Sequence, residues 1–329
     1  MIAAVSAPTA AVPAPNVDSL AAFPSARTLC AAAKARDWWT VNAGFDRITD
    51  PAEHREVLRG VGLATDRGFA EEVFAREPTS ALAGTLLAWR LIDDGWSIRS
   101  GSWARNVSGE QWKGFHEHLH RAEQLLIEVT ARHPGYTSAW IERLHTARGL
   151  SLGQAEARRR YEAVIKVAPR FHPAQSIMIQ QLCPKWSGSF EAMHGFAVEC
   201  TKASPPGSVN GALVAEAHIE HWLLVDRDDG GRAAVAYLKR SDVQQELLWA
   251  AGHSVLNPAC RPVVGWVGAH CSFAMAFSLA ENYPAAAAHF QALYAGGNLA
   301  EESPWNYLGD AVTQFVTHRS RAFQKGIRR

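Results

Sequence analysis

Three prolines, Pro134, Pro169 and Pro205, stand 35 and 36 residues apart along a stretch in which apolar residues recur at helical spacing. That combination predicts helices of limited length joined by short turns, because a proline inside a helix removes a hydrogen bond and clashes with the preceding turn. In the clearest run, residues 108–135, Trp112, Phe115, Leu119, Ala122, Leu126 and Val129 alternate steps of three and four. One stripe of that helix is expected to be buried. Ser108 and Gln111 have capping-box spacing at its start, and Pro134 with Gly135 ends it.

The same grammar recurs down the chain. Ser151 with Gln154 predicts a second capped helix closing at Pro169, and Ser241 with Gln244 predicts another. Pro173, Pro284 and Pro304 stand where a first helical turn tolerates proline, and Gly149 and the Gly296–Gly297 pair stand where helices end. Aligned on the prolines, Ala122, Leu126 and Val129 correspond to Ala157, Tyr161 and Val164. Residues 271–297 repeat the pattern with Ala274, Phe277, Tyr283, Ala286, Phe290 and Leu293. Strand-like alternation is missing, so the fold class read from the sequence is all-α, with about a dozen helices on short connections. The proline period is close to the roughly 34-residue repeat of a tetratricopeptide array, which points to an α-solenoid of stacked helical hairpins. The expected layout is an Ala/Pro-rich disordered tail (1–22), a helical cap (23–78), the repeat domain (79–318) and a basic C-terminal tail (319–329).

Composition narrows the function classes. A hydrophobic content of 47% over 329 residues fills a sizeable core. Thirty-three Lys and Arg against 32 Asp and Glu leave a net charge of +1, so no global field draws the chain to nucleic acid or anionic lipid. Five cysteines without a C-x-x-C pair argue against a disulfide framework and against a thiolate zinc site, and fit a reducing cytoplasmic setting. The N-terminal stretch lacks a basic region before Pro8, Pro13 and Pro15, which disfavours a signal peptide. No charge-free apolar stretch reaches membrane-spanning length. Nucleotide loops of the G-x-G-x-x-G and G-x-x-x-x-G-K-[ST] kinds and the G-x-S-x-G elbow are missing too.

The segments KWSGSFEAMHGFA (185–197), SPPGS (204–208), LVAEAHIEHWL (213–223) and PWNYL (304–308) carry a resemblance. Together they resemble an uncharacterised family of tetratricopeptide-like bacterial proteins, often actinobacterial, over residues 80–315. The resemblance implies an all-helical domain and brings no catalytic residues with it. The chain departs from the family pattern at Ser187, where glycine is more usual, and at His194, where an aromatic is.

Several constellations compete for a functional role. His116, Glu117 and His120 spell H-E-x-x-H, in which two histidines one turn apart hold zinc and the glutamate activates water, with Glu142 as a conjectural third ligand. Three Glu-x-x-His pairs, Glu117/His120, Glu142/His145 and Glu191/His194, have the spacing of di-iron bundles, for which Glu216 and Glu220 would supply further carboxylates. Val214, His218, His221 and Val225 share one helical stripe, so those imidazoles need partners, and His218 with Glu220 and His221 is the candidate acid–base group. Twelve tryptophans are chiefly fillers between hairpins, but Trp96 and Trp103 lie in a Gly/Ser/Arg-rich loop suited to gripping a peptide, and Arg148, Trp186 and Ser189 join them as binding candidates. The dense stretch 183–200 reads as a helix junction: Gly188 at positive φ, Ser189 as N-cap, Trp186 as a wedge, Met193 and Phe196 as core. Arg158–Arg160 read as a solvated face. The functional expectation is a non-catalytic scaffold without cofactor, binding a protein or peptide segment in its concave face. The alternative is a zinc or iron enzyme built on His116, Glu117 and His120.

Overall fold

The computed structural model describes residues 12–17, 24–101 and 104–326. Among the described residues there are sixteen α-helices and no strand, so the chain is all-α. Contacts divide it into two units. The N-terminal unit comprises residues 20–181 and 185–187, and the C-terminal unit comprises residues 1–19, 182–184 and 188–329.

The N-terminal unit holds α1 (Pro24–Lys34), α2 (Trp38–Phe45), α3 (Pro51–Ala64), α4 (Arg67–Arg76), α5 (Ala81–Arg99), α6 (Gly109–Arg132), α7 (Thr137–Gly149), α8 (Gln154–Val167) and nearly all of α9 (His172–Leu182). Leu29, Val41, Phe45, Val57, Leu58 and Phe69 form one core together with Leu82 and Leu86 of α5. The stretch read as a separate cap therefore shares its core with the first long helix of the expected repeat domain. A second core joins Leu87 and Leu91 of α5 to Leu126 and Val129 of α6 and Ala139 of α7.

Between α6, α7 and α8 lies a buried ionic network that sequence periodicity does not reveal. Arg143 and Arg160 both donate to the Glu123 carboxylate, at 2.8 and 2.9 Å, and the Thr146 hydroxyl donates to it as well. Arg160 is thus no part of a solvated face: it is 2% exposed, whereas Arg158 and Arg159 are exposed. Arg160 also donates to Glu156 at 2.7 Å, so two carboxylates face the two guanidinium groups and each charge is compensated where water is excluded.

The C-terminal unit holds α10 (Phe190–Lys202), α11 (Ala212–Asp229), α12 (Gly231–Leu238), α13 (Ser241–His253), α14 (Trp266–Leu279), α15 (Tyr283–Ala295) and α16 (Ala311–Gly326). α11 is buried nearly all round from Ala212 to Glu220, so its polar side chains must find partners inside the protein. α14 and α15 pack on each other, as do α15 and α16.

The helix ends divide into those that follow local spacing and those that do not. The capping box forms: Ser108 Oγ accepts from the Gln111 amide at 3.2 Å, and the Gln111 side chain accepts from the Ser108 amide at 3.0 Å. Ser189 caps α10 by accepting from the Ala192 amide at 3.1 Å. Ser151 does not cap α8: Gly153 at φ 87° is the N-cap residue, and the Gln154 amide group donates to the carbonyls of Gln181 and Trp186. α13 likewise starts after Arg240 without a side-chain cap, and Gln244 donates to the Leu238 carbonyl.

Both expected tails also need amending. Residues 319–326 are the last turns of α16, and Arg319 is 2% exposed. Its guanidinium donates to the Pro13 carbonyl at 2.7 Å and to Asn298 Oδ1 at 2.7 Å. Asn16 pairs with residues 298–300 through two backbone hydrogen bonds. Residues 12–17 are in this way laid along the C-terminal unit. No helix among the described residues is long and apolar enough to cross a membrane.

Candidate functional site

His218 and His221 lie three residues apart on α11 and share a flank, as their spacing predicts. What they face comes from three other helices. His194 of α10 sets Nε2 at 3.1 Å from His221 Nδ1. Tyr237 of α12 brings its hydroxyl to 2.6 Å from His218 Nδ1 and 3.4 Å from His194 Nε2. Glu246 of α13 brings Oε2 to 2.8 Å from His218 Nε2. One turn before His194, Phe190 stacks on the His221 ring, with centroids 3.6 Å apart and planes 8° apart. Stacking on one side and the Tyr237 ring on the other, at 4.0 Å, fix how the His221 imidazole is turned.

Burial keeps the His194 and His221 imidazoles neutral. Desolvation first, and then the charges His218 and His221 would carry, bring His194 down to about 3. His221 is brought down to about 4 by burial, with His218 and Arg240 adding to it. Burial above all raises Tyr237. One proton arrangement satisfies the contacts: His218 Nε2–H donates to the Glu246 carboxylate, and the Tyr237 hydroxyl donates to His218 Nδ1. His194 Nε2–H then faces both Tyr237 Oη and His221 Nδ1. His218 is buried, whereas His194, His221 and Glu246 are partly exposed, so the group opens to solvent on one side. Such a set can relay a proton or hold a cation.

Glu220 belongs elsewhere. It is 2% exposed and accepts from the Tyr307 hydroxyl at 3.2 Å. Two residues along a helix is more than half a turn from His218, so the expected His–Glu–His grouping cannot form on α11 alone. Tyr237 and Glu246, which complete the real group, carry no spacing signal toward His218, and neither the Glu191/His194 pair nor the departure from the family pattern at His194 points to His218.

Among the described residues the H-E-x-x-H string does not assemble a ligand set. Phe115, Leu119 and Ala122 turn the buried face of α6 inward, which leaves His116, Glu117 and His120 exposed on the opposite flank. Glu142 is 3% exposed on α7, where burial pushes its carboxyl up to about 7 against the opposing Arg55 charge. Neighbouring His145 is held well below its usual range by burial and by the Arg148 and Arg55 charges. The Glu117/His120 and Glu142/His145 pairs of the N-terminal unit therefore lie in different surroundings, one pair exposed and the other facing inward.

In the N-terminal unit the binding candidates Trp96, Arg148 and Trp186 do meet. Arg148 lies over Trp96 at 5.6 Å and over Trp186 at 5.7 Å. Arg99 lies over the same Trp96 at 5.4 Å and over Trp112 at 5.2 Å. The order Trp112, Arg99, Trp96, Arg148, Trp186 is an alternating ladder of indoles and guanidinium groups. Gln154 anchors it at one end by donating to the Trp186 carbonyl. Trp103 lies outside the described residues. Ser189, also a binding candidate, serves as the cap of α10.

Around the junction the positive φ falls on Ser187, at 69°, and not on Gly188. Gly188 is required for a different reason: a Cβ there would lie 1.9 Å from the Leu182 carbonyl oxygen. Met193 and Phe196 are core, as their spacing on α10 implies.

The chain matches no protein-family model, and no curated protein matches it.

Proposed function

We propose that this chain is a non-catalytic binding module whose hairpins stack in the tetratricopeptide manner within each unit, and that it grips a protein or peptide segment on the Trp–Arg ladder of the N-terminal unit. Pro134, Pro169 and Pro205 support the repeat, since each follows an even-numbered helix, α6, α8 and α10 in turn. The observation that carries the binding role is the ladder itself. Trp96, Trp112, Arg148 and Trp186 are all partly exposed, and Trp and Arg are the side chains in which interface binding energy concentrates. Guanidinium groups both pack over indole rings and pair with carboxylates through parallel N–H bonds, so a Trp–Arg surface suits a carboxylate-bearing segment. The segment favoured on these grounds carries acidic side chains beside apolar ones.

Binding of the full chain to an array of acidic peptides and their amide counterparts tests this reading. Acidic peptides should bind, their Asn/Gln versions should bind roughly tenfold more weakly, and Arg148→Gln should remove the difference without lowering the melting temperature. Equal affinity for both peptide sets, or an Arg148→Gln protein that still discriminates, would overturn it.

A further inference from the structure

We propose that His194, His218 and Glu246 are the protein ligands of a divalent transition-metal ion, with His221 within reach as a fourth. Their donor atoms all lie within 4.8 Å of one another, and they come from three helices, α10, α11 and α13, so tertiary packing and not local sequence brings them together. His221 Nδ1 is 3.1 Å from His194 Nε2, so a second α11 imidazole borders the group beside His194.

The donor chemistry selects the class of ion. Two or three imidazole nitrogens and one carboxylate suit zinc, cobalt, nickel or ferrous iron, whereas calcium and magnesium take oxygen donors almost throughout. Zinc holds such ligands at about 2.0–2.1 Å, so neighbouring donors in a tetrahedral shell stand roughly 3.3 Å apart. His218 Nε2 and Glu246 Oε2 are 2.8 Å apart and would need to part by only about half an ångström, a small rotation for a partly exposed glutamate.

The surroundings match what a metal ligand requires around it. With an ion on His218 Nε2, the ring proton sits on Nδ1 and donates to the Tyr237 hydroxyl, now 2.6 Å away, which fixes the tautomer and the ring orientation. Phe190 does the same for His221 by stacking. Arg240 is the cation on this side, 6.0 Å from the Tyr237 ring centroid, and it is paired with Asp242 at 2.6 Å. The partly exposed His194, His221 and Glu246 leave a path for the ion and a coordination position for water.

The test uses the full chain, stripped with chelator, dialysed and titrated calorimetrically with zinc chloride. Cobalt absorption in the visible reports the coordination shell. One equivalent of zinc is expected to bind; His194→Ala and Glu246→Gln should each weaken it by roughly 100-fold or more, and Tyr237→Phe by about tenfold. His116→Ala combined with His120→Ala should leave that equivalent in place. The proposal is overturned if no equivalent binds, if binding survives both His194→Ala and Glu246→Gln, or if it disappears with His116 and His120. Should His194→Ala lose helical circular dichroism, Glu246→Gln, which preserves side-chain shape, decides the matter alone.

Discussion

Glu142 shows how much one buried carboxyl weighs in a helical core. Its pKa rises from 4.5 to about 7 because burial disfavours the charge more than Arg55 favours it. The folded chain therefore holds this proton more tightly than the unfolded chain, and stability falls as pH climbs from about 4.5 to about 7. At about 1.4 kcal/mol per pKa unit, the ionised carboxyl costs roughly 3 kcal/mol once that window is passed. Glu142→Gln should be more stable than the parent chain by an amount that grows across the window and is constant above it. Urea midpoints at about pH 4.5, 6 and 8 measure this, and a pH-independent difference between the two proteins would refute the assignment. Residue identity reveals far less about partners. The three-residue spacing of His218 and His221 shows that both face the same way, and the structure agrees. It cannot show that Tyr237 and Glu246 come to meet His218 from 19 and 28 residues further on, since nothing in a helical period encodes which helices become neighbours.

At the level of helices, apolar periodicity reads burial well. Ala122, Leu126 and Val129 and their aligned counterparts Ala157, Tyr161 and Val164 are all buried. Turn chemistry is read less well, because a serine three residues before a glutamine describes a cap only if the chain enters the helix at that serine, and Ser151 stands at φ 53° two residues ahead of the N-cap Gly153. The cap at Ser151 therefore does not form, and the Gln154 amide group donates to the Gln181 and Trp186 carbonyls instead. Gly188 and Gly195 separate the two reasons a glycine stands near a helix. Around Gly195, inside α10, nothing lies within 4 Å of an added Cβ, whereas at Gly188 a Cβ meets the Leu182 backbone, which cannot rotate away. Gly195→Ala should therefore gain about 0.5–1 kcal/mol from helix propensity, and Gly188→Ala should lose about 2 kcal/mol or more. Equilibrium denaturation of both variants checks the contrast; a Gly188→Ala protein as stable as Gly195→Ala would mean that the α9–α10 junction does not depend on that close approach.

Across the whole chain, the least legible feature is the path of residues 12–17. Prolines and alanines there carry no periodicity, and their partners are close to 300 positions away, beyond any local pattern. The contact is nevertheless specific in kind. Arg319 is buried and donates to Pro13 and Val12 carbonyls as well as to Asn298, while Asn298 Nδ2 donates to the Ala14 carbonyl at 2.8 Å. Removing residues 1–17 would take two acceptors from a buried guanidinium, a loss of about 1–3 kcal/mol or more for a charged donor. Arg319→Met removes the need for those acceptors, so truncation and substitution should not add. The truncation should destabilise the parent chain clearly and the Arg319→Met chain much less, a coupling that a double-mutant cycle measures directly. Hydrogen exchange should place the loosened amides in α15 and α16, the helices that flank Asn298 and carry Arg319. Additive effects would mean that the N-terminal segment contributes through its own burial alone, and that Arg319 is held by the C-terminal unit without it.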